Sequence, residues 1–169
     1  EDGIRDVERS RGLGDVYKRQ IKKLKQKLAN ILKINDETSF VIVGAGNIGH
    51  ALVRFRAFKA AGFKLKAIFD IKPQLCGQSI NGVLIYHVDS LPSFIRENSI
   101  DMAIIAVPRE VANEVGKTLI DAGIRGILNF APLDLDVPEG FPVENIHIID
   151  KMLALSFIVN SEDVKKSKK

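Results

Sequence analysis

The stretch Phe40-Val-Ile-Val-Gly-Ala-Gly-Asn-Ile-Gly49 decides the fold of this chain. Four β-prone apolar residues run directly into the spacing Gly44-x-Gly46-x-x-Gly49, and a further apolar segment starts at Ala51. This pattern predicts a buried strand, a glycine-rich turn and a helix. In such a turn the first glycine allows the tight bend, the second lets backbone approach a phosphate, and the third lets the helix pack close to the strand. We therefore expect a dinucleotide pyrophosphate to bind at the start of this helix.

An acidic residue at a suitable distance strengthens this interpretation. The next apolar run, Leu65-Lys-Ala-Ile-Phe-Asp70, ends in a carboxylate 21 residues beyond Gly49. Dinucleotide-binding proteins place an acid at this distance to hold the adenosine ribose. Because the charge of Asp70 would repel the additional phosphate of NADP, the sequence favours NAD-type ligands, although Lys72 argues the other way.

The rest of the chain alternates strands and helices. Apolar runs and turn residues predict strands over residues 40–43, 65–70, 80–86, 101–107, 127–130 and 145–149, and helices over residues 48–61, 91–97, 109–122 and 152–159. This order predicts an α/β fold, with a doubly wound, mostly parallel sheet of the Rossmann type and helices on both faces. Ligands of such sheets bind at the carboxyl ends of the strands.

Length and composition fit one sizeable domain with short appendages. The chain has 169 residues, of which 46% are hydrophobic and 27% charged, as in ordinary globular proteins. It contains neither a bilayer-spanning apolar run nor an N-terminal signal segment, and its single cysteine fits a reducing compartment, so we expect a cytoplasmic protein. The net charge of +4 comes largely from basic residues near the two ends, which are typical of solvated surfaces.

The composition also predicts how the chain is divided. Residues 1–20 carry few apolar side chains and are expected to be a disordered or non-native leader, and residues 21–36 an amphipathic linker helix. Residues 37–149 form the predicted dinucleotide-binding domain, residues 150–160 a strongly apolar C-terminal helix, and residues 161–169 a basic tail.

The predicted nicotinamide end carries no obvious group for proton transfer. A dehydrogenase needs such a group, usually His, Lys or Tyr, beside the ring. The nearest strand ends offer Val107-Pro108-Arg109 and Asn129-Phe130-Ala131-Pro132. His87 follows a predicted strand and His147 lies within one, and we interpret both as structural or solvent-facing. A binding site without chemistry is the leading hypothesis, while the cofactor domain of an NAD-dependent oxidoreductase and a CoA-type nucleotide-binding domain remain alternatives.

Several motifs together resemble the Rex family of redox-sensing transcriptional repressors. Beside the glycine motif, the segments Asn81-Gly-Val-Leu-Ile-Tyr-His87 and Gly126-Ile-Leu-Asn-Phe-Ala-Pro132 are more specific than the glycines alone. Ala67-Ile-Phe-Asp70 and Ala103-Ile-Ile-Ala-Val-Pro108 match as well. The resemblance implies a non-enzymatic domain that senses the ratio of NADH to NAD+.

The resemblance also implies roles for individual residues. The glycine motif would hold the cofactor pyrophosphate, Asp70 would bind the adenine ribose, and Tyr86 and Asp150 would close the pocket or signal to the DNA-binding part. The loop and nicotinamide-side residues implied to bind the cofactor are Gly44, Ala45, Gly46, Asn47, Ile48, Gly49, Val107, Pro108, Asn129, Phe130 and Pro132.

In the family, a winged-helix domain binds operator DNA, and NADH releases the repressor from that DNA. None of residues 1–20 resembles that domain, so this chain is not expected to recognise an operator by itself. The resemblance further implies a homodimer in which the apolar C-terminal helix crosses to the partner. Because burial of a cationic ring costs desolvation, an apolar pocket around Phe130 predicts tighter binding of NADH than of NAD+.

Overall fold

The computed structural model describes residues 38–166, with side chains described up to residue 160. The predicted leader over 1–20, the predicted linker helix over 21–36 and the last three residues lie outside this part. The described strands are β1 (Thr38–Val43), β2 (Phe63–Asp70), β3 (Ser79–Ile80), β4 (Val83–His87), β5 (Met102–Ile105), β6 (Gly126–Asn129) and β7 (Val143–Asn145). The described α-helices are α1 (Asn47–Val53), α2 (Ala57–Ala60), α3 (Leu91–Asn98), α4 (Arg109–Asp121) and α5 (Ile148–Lys166).

The strands form one sheet whose order reverses at β1. The order is β3-β4-β2-β1-β5-β6-β7, so the chain moves outward from β1 in one direction and then returns to build the other half from β5. The pairs β1–β5, β2–β4, β5–β6 and β6–β7 are parallel, and β3 alone is described as antiparallel to its neighbour. The predicted doubly wound, mostly parallel sheet is therefore confirmed.

Alternate residues of the central strands enter two separate hydrophobic cores. In β1, Val41 and Val43 face a core that includes Leu91 of α3 and Leu119 of α4. Ile42, between them, faces the opposite core, which includes Val53 of α1. Because successive side chains of a strand point to opposite faces, continuous apolar runs are what a sheet covered by helices on both faces requires.

The predicted helix over residues 48–61 is wrong as one element. It is interrupted after Val53, where the N–H of Phe55 donates to the carbonyl of Leu52 at 3.0 Å, and it resumes as α2. The ring of Phe58 in α2 packs edge-on against Phe40 and Phe63, with centroids 5.2 and 6.4 Å away. This packing against β1 and β2 sets the position of α2, and no glycine or proline marks the interruption in the sequence.

The apolar segment over residues 80–86 is a hairpin rather than one strand. Asn81 and Gly82 both have positive φ, at 52° and 82°, and connect β3 to β4. Such turns suit two-residue hairpins because their twist matches that of the strands. The strand that joins the parallel sheet is β4, in register with β2 through the pair Phe69 and Tyr86.

The C-terminal region differs most from prediction. The predicted strand over 145–149 is wrong beyond Asn145, because β6 ends at Asn129 and offers no further partner, and Ile146 makes the last bond to it at 2.8 Å. α5 begins at Ile148 and continues to Lys166, beyond the predicted helix over 152–159 and into the predicted basic tail. Among the described helices, none combines the length and the apolar character that crossing a membrane requires.

Candidate dinucleotide-binding site

The carboxyl ends of the central strands are joined to one another by backbone hydrogen bonds. Gly44 N donates to Phe69 O at 2.7 Å, Ala106 N donates to Val43 O at 2.8 Å, and Phe130 N donates to Ile105 O at 2.8 Å. The segments that leave β1, β5 and β6 therefore lie side by side at one edge of the sheet. The point where the strand order reverses, between β1 and β5, is where doubly wound sheets bind ligands.

Gly44 makes the turn out of β1 and lies against the end of β5. Its φ of +107° belongs to a region that side chains rarely adopt. A Cβ added there would also collide with the carbonyl of Ala106, whose carbon would be 2.7 Å away, and would lie 3.2 Å from Val107 Cγ1. Both the turn and the packing of β1 against β5 therefore require a glycine at this position.

Gly49 allows α1 to approach the turn that precedes it. A Cβ at Gly49 would collide with the carbonyl oxygen of Gly44 and lie 3.1 Å from its carbon. Both groups are backbone and cannot rotate away. The third glycine of the motif therefore packs helix against turn, as the spacing predicts.

Gly46 differs from Gly44 and Gly49 because no protein atom lies close to the position that a side chain would occupy. An added Cβ would find no atom within 4 Å, and the backbone at Gly46 is extended, with φ −77° and ψ −167°. Gly46, Asn47 and Ile48 are exposed, and His50 N donates to Gly46 O at 2.9 Å to begin α1. The first N–H groups of a helix have no partner within it. The glycine loop, residues 44–49, thus has space over its middle glycine beside the N-terminus of α1.

The Asp70 carboxylate holds the glycine loop in place. Its Oδ2 accepts from Ala45 N at 2.7 Å, and its Oδ1 accepts from Lys72 N at 2.9 Å. The sequence predicts a ribose ligand at this position but gives no sign of the bond to the loop, which joins residues far apart in the chain. Since an ionised carboxylate has about four acceptor sites, Asp70 can hold the loop and still accept from a hydroxyl.

The residues predicted for the nicotinamide side lie at the ends of β5 and β6. Val107 is half-buried against Gly44, whereas Pro108 and Pro132 are exposed. Phe130 is half-buried and packs against the core that also contains Ala45 of the glycine loop. The structure therefore places Val107 against the loop, packs Phe130 on the same core as Ala45, and leaves the two prolines at the surface.

The side-chain amide of Asn129 makes several hydrogen bonds within the protein. Its side chain is fully buried, with Oδ1 accepting from Ala131 N at 2.9 Å. Its Nδ2 donates to Leu133 O at 2.7 Å and to Asn145 Oδ1 at 2.8 Å. The amide thus shapes the pocket loop, defined as residues 130–136, and ties it to the end of β7. Contact of Asn129 with a cofactor stays a prediction.

Tyr86 and Asp150 lie on opposite sides of the site. The Tyr86 ring is stacked on Phe69, with centroids 5.8 Å apart, and lies 5.3 Å from Phe94. Asp150 is in the first turn of α5, beyond the far edge strand, and its Oδ2 lies 3.1 Å from His147 Nδ1. The two residues are not brought together within the chain, so their predicted signalling role is not tested by it.

His147 occupies a position that sequence patterns do not indicate. It lies in the connection between β7 and α5 rather than within a strand, and its side chain is 26% exposed. Its Nε2 is buried without a hydrogen-bond partner, and the closest carboxylate oxygen, Asp134 Oδ1, is 3.6 Å away. Only the folded pocket loop places Asp134 beside this ring.

Comparison with known proteins places the chain in a family. Residues 35–133 match the CoA binding domain family. The redox-sensing transcriptional repressor Rex of Clostridium perfringens (strain SM101 / Type A) is 44% identical over 149 residues, which is 88% of this chain and 70% of the relative. The Rex repressor of Clostridium botulinum (strain Hall / ATCC 3502 / NCTC 13319 / Type A) is 41% identical over 147 residues, or 87% of this chain and 70% of the relative.

Solved structures agree with these relatives. RSP, a Rex-family repressor, is 37% identical, with a TM-score of 0.80 over 88% of this chain and 72% of RSP. Its complex with beta-NAD+ and operator DNA gives a TM-score of 0.81 over 87% and 68%, and its complex with beta-NADH gives 0.79 over 88% and 72%. Shared sequence and fold lead to one conclusion: the chain belongs to the Rex family of redox-sensing transcriptional repressors.

Proposed function

We propose that this chain is the nucleotide-sensing part of a cytoplasmic Rex repressor and binds NADH and NAD+ in the crevice between β1 and β5. The pyrophosphate lies over Gly46 at the start of α1, and the adenosine ribose lies against Asp70. The ring end lies beside Val107 and Phe130. In the full-length repressor, a winged-helix domain binds operator DNA and releases it when NADH occupies this crevice.

The open space over Gly46 is the observation that carries this proposal. Gly44 and Gly49 are needed by the fold itself, because a Cβ at either would collide with backbone. Gly46 has no such need, since its φ of −77° suits any residue and no atom lies near. A glycine there is explained by a ligand that must approach the backbone closely.

The ring end supports sensing rather than catalysis. Val107, Pro108, Phe130 and Pro132 carry no acid or base with which to accompany hydride transfer. His87, which pairs with Asp70 in the register of β2 and β4, has its Nε2 3.2 Å from Ile71 O and its Nδ1 3.1 Å from Asp89. The curated relatives are named as repressors, which agrees with a regulatory role.

Two redox states must bind with different strengths if the domain is to sense their ratio, because a ligand with equal affinity for two conformations shifts neither. NAD+ carries a positive charge on its ring and NADH does not. Phe130 and Val107 offer apolar contact, and burying the cationic ring beside them costs desolvation. NADH is therefore the tighter ligand.

The exposed apolar surface of α5 supports a homodimer. Its exposed large apolar residues are Ile148, Ile149, Met152, Leu153, Leu155, Phe157, Ile158 and Val159, and Phe157 reaches 76% exposure. Monomeric proteins rarely expose so continuous an apolar surface. α5 of each subunit packs on its partner, which removes this surface from water.

Substitution of Gly46 tests the nucleotide site. Gly46→Ala should leave the melting temperature unchanged because its Cβ meets no protein atom, yet weaken NADH binding about tenfold or more by occupying the place of the phosphates. Thermal unfolding measures the melting temperature of each variant, and isothermal titration calorimetry measures its affinity for NADH. Gly116→Ala in α4 is the matched control, since its Cβ would make ordinary contacts of 3.7 Å with Leu135. Equal NADH affinity in wild type and Gly46→Ala would contradict this placement.

Coenzyme A is a second candidate ligand, because the matching family is described as a CoA binding domain. CoA carries a phosphate on its adenosine ribose, which the Asp70 carboxylate would repel. A competition titration with NADH, NAD+, NADPH and CoA should therefore rank NADH first and NAD+ second. NADPH and CoA, which carry an additional phosphate on the adenosine ribose, should bind most weakly. CoA binding more tightly than NADH would replace the sensor proposal with the second candidate.

The dimer is tested separately from the nucleotide site. Phe157→Lys places a charge in the apolar surface of α5 and should turn the dimer into monomers in sedimentation velocity. Glu114→Lys, on the exposed face of α4, is the control and should sediment as the wild type does. A wild-type chain that is monomeric at all concentrations would contradict the proposed assembly.

A further inference from the structure

The pocket loop is held by hydrogen bonds beside the proposed ring end. Phe130 N donates to Ile105 O at 2.8 Å, and Leu133 N donates to Ala131 O at 2.8 Å. Ala131 lies between Phe130 and Pro132, the two loop residues assigned to the ring end. The positions of these two side chains therefore depend on what fixes the backbone of Ala131.

The side-chain amide of Asn129 fixes this backbone. Its Oδ1 accepts from Ala131 N at 2.9 Å, and its Nδ2 donates to Leu133 O at 2.7 Å. Because a backbone N–H only donates and a backbone carbonyl only accepts, these two groups determine which way the amide is turned. The side chain is fully buried, so its second N–H also needs an acceptor, since an unpaired buried donor is unfavourable.

Asn145 supplies that acceptor. Its Oδ1 lies 2.8 Å from Asn129 Nδ2, whereas the alternative acceptor for the second N–H, Ala131 O, is 3.4 Å away. The parallel register of β6 and β7 pairs Asn129 with Asn145, and Ile146 N donates to Asn129 O at 2.8 Å. The edge strand β7 therefore holds the side chain of Asn145 beside the amide that needs it.

The buried amide is not explained by the needs of the sheet. The other residues of β6, Gly126, Ile127 and Leu128, are apolar, and burial of an amide costs free energy unless it is hydrogen-bonded. The described hydrogen bonds of the Asn129 side chain go to the pocket loop and to Asn145. A polar residue at this position is explained by a loop whose shape must be defined.

We propose that Asn145 is a positioning residue for the ring end of the nucleotide site. It accepts from Asn129 and thereby keeps the amide turned as the pocket loop requires, so that Phe130 and Pro132 stay where they meet the ring. Without this acceptor, the amide turns toward Ala131 O and displaces the backbone between those two residues. This inference rests on the proposed function, because the ring end is assigned there.

Two ligands separate the ring end from the rest of the site. ADP-ribose has the adenosine, the pyrophosphate and the second ribose of NADH but lacks the nicotinamide. Asn145→Ala should weaken NADH binding about tenfold, by loss of one buried hydrogen bond, and leave ADP-ribose binding unchanged. Isothermal titration calorimetry of the full chain with each ligand measures both affinities. A merely structural role, in which the whole domain is loosened, would weaken the two ligands equally.

Three further variants complete the experiment. Asn145→Asp keeps an acceptor oxygen in the same place and should restore the wild-type affinity for NADH. Asn145→Leu keeps a similar side-chain volume without an acceptor, and it provides the same comparison if Asn145→Ala does not fold. Asn98→Ala, the matched control, removes a side-chain bond to Phe94 O of 3.0 Å at the end of α3 and should bind both ligands as the wild type does.

The outcomes distinguish this inference from the proposed function. Equal losses of affinity for NADH and ADP-ribose in Asn145→Ala, or wild-type NADH affinity in that variant, would overturn this inference alone. The same conclusion would follow if Asn145→Asp bound NADH as weakly as Asn145→Ala. A wild-type chain that binds neither ligand would instead overturn the proposed function.

Discussion

The central sheet carries an aspartate at each end of its strands, Asp101 at the amino ends (the amino edge) and Asp70 at the carboxyl ends (the carboxyl edge), and the two lie in different surroundings. At the amino edge, Asp101 Oδ2 accepts from both Ser39 N and Ser39 Oγ at 2.9 Å, and its Oδ1 accepts from Arg125 Nη1 at 3.2 Å. At the carboxyl edge, Asp70 accepts from two backbone N–H groups, and Gly46 beside it remains open to solvent. Both aspartates accept hydrogen bonds from the protein, but only Asp70 lies beside a backbone position, Gly46, that no protein atom covers.

This difference separates stability from binding within one sheet. The Ser39–Asp101–Arg125 network joins the start of β1 to the start of β5 and to the segment before β6, so its loss should affect folding. The glycine loop and Asp70 surround a space that the protein itself does not fill, so changes there should affect ligand binding. The same substitution at the two aspartates can test the separation.

Gly49→Ala should have the largest effect, because it should destabilise the fold at the carboxyl edge as well as abolish binding there. Its methyl group would collide with the Gly44 carbonyl, so α1 must move away from the turn. We expect a loss of about 3 kcal/mol or more in the free energy of unfolding, together with loss of NADH binding. Urea denaturation measures the first effect. Gly116→Ala, the matched control, should be stabilised by about 0.5–1 kcal/mol, because alanine favours a helix. A Gly49→Ala protein as stable as wild type would contradict the close packing.

Asp101→Asn should lower stability without changing NADH affinity. The new amide nitrogen would face donors from Ser39 or Arg125, so at least one hydrogen bond is lost, at a cost of about 1–2 kcal/mol. Chemical denaturation measures the stability of the variant, and calorimetry on the same preparation measures its affinity for NADH. A large change in NADH affinity would show that the two edges are not independent.

The stability supplied by Asp101 should also depend on pH. Partial burial raises the pKa of Asp101, but hydrogen bonds from Ser39 and the charge of Arg125 outweigh it and hold the pKa below its ordinary value of 3.8. Between the two pKa values the unfolded chain binds more protons than the native one, so acid favours unfolding. The difference in melting temperature between wild type and Asp101→Asn should be constant near neutral pH and shrink below about pH 4. A difference that grows in acid would contradict this sign.

Asp70→Asn should have the smallest effect on stability and a clear one on binding. Asparagine can still accept from Ala45 N through its oxygen, so the free energy of unfolding should fall by less than about 1 kcal/mol. The charge-assisted hydrogen bonds that we propose between Asp70 and the ribose would be lost, so NADH affinity should fall about tenfold. Calorimetry with NADH and NADPH measures this loss and shows whether discrimination between them also weakens. Unchanged affinity for both would remove Asp70 from the site.

Much of the central fold was predictable because its signals are local. The apolar run before Gly44 and the glycine spacing reflect packing needs that the structure bears out at Gly44 and Gly49. The positions of β1, β5 and β6 followed from uninterrupted apolar runs, since both faces of these strands are buried. The fold class could therefore be predicted from sequence, whereas the cofactor contacts of the candidate site stay a prediction.

The remaining features depend on contacts between distant residues. The interruption between α1 and α2 goes with the packing of Phe58 on Phe40 and Phe63, and the strand predicted over 145–149 ends early because β6 ends at Asn129. The bond from Ala45 to Asp70 joins positions 25 residues apart, which no local pattern shows. The periodicity of apolar residues indicates which face of a helix or strand is buried, but it does not indicate which element packs against that face.

The sheet ends on both sides in very short strands. β3 has two residues and β7 has three, and β3 runs antiparallel to its neighbour. A long, flat edge would offer unpaired N–H and C=O groups to strands of other molecules, and short edges offer few. The sheet of the described residues, 38–166, therefore offers copies of this protein little backbone with which to extend one sheet into the next. Resistance to fibril-like aggregation follows from the brevity of β3 and β7, and association is left to side-chain surfaces that can form specific, closed assemblies.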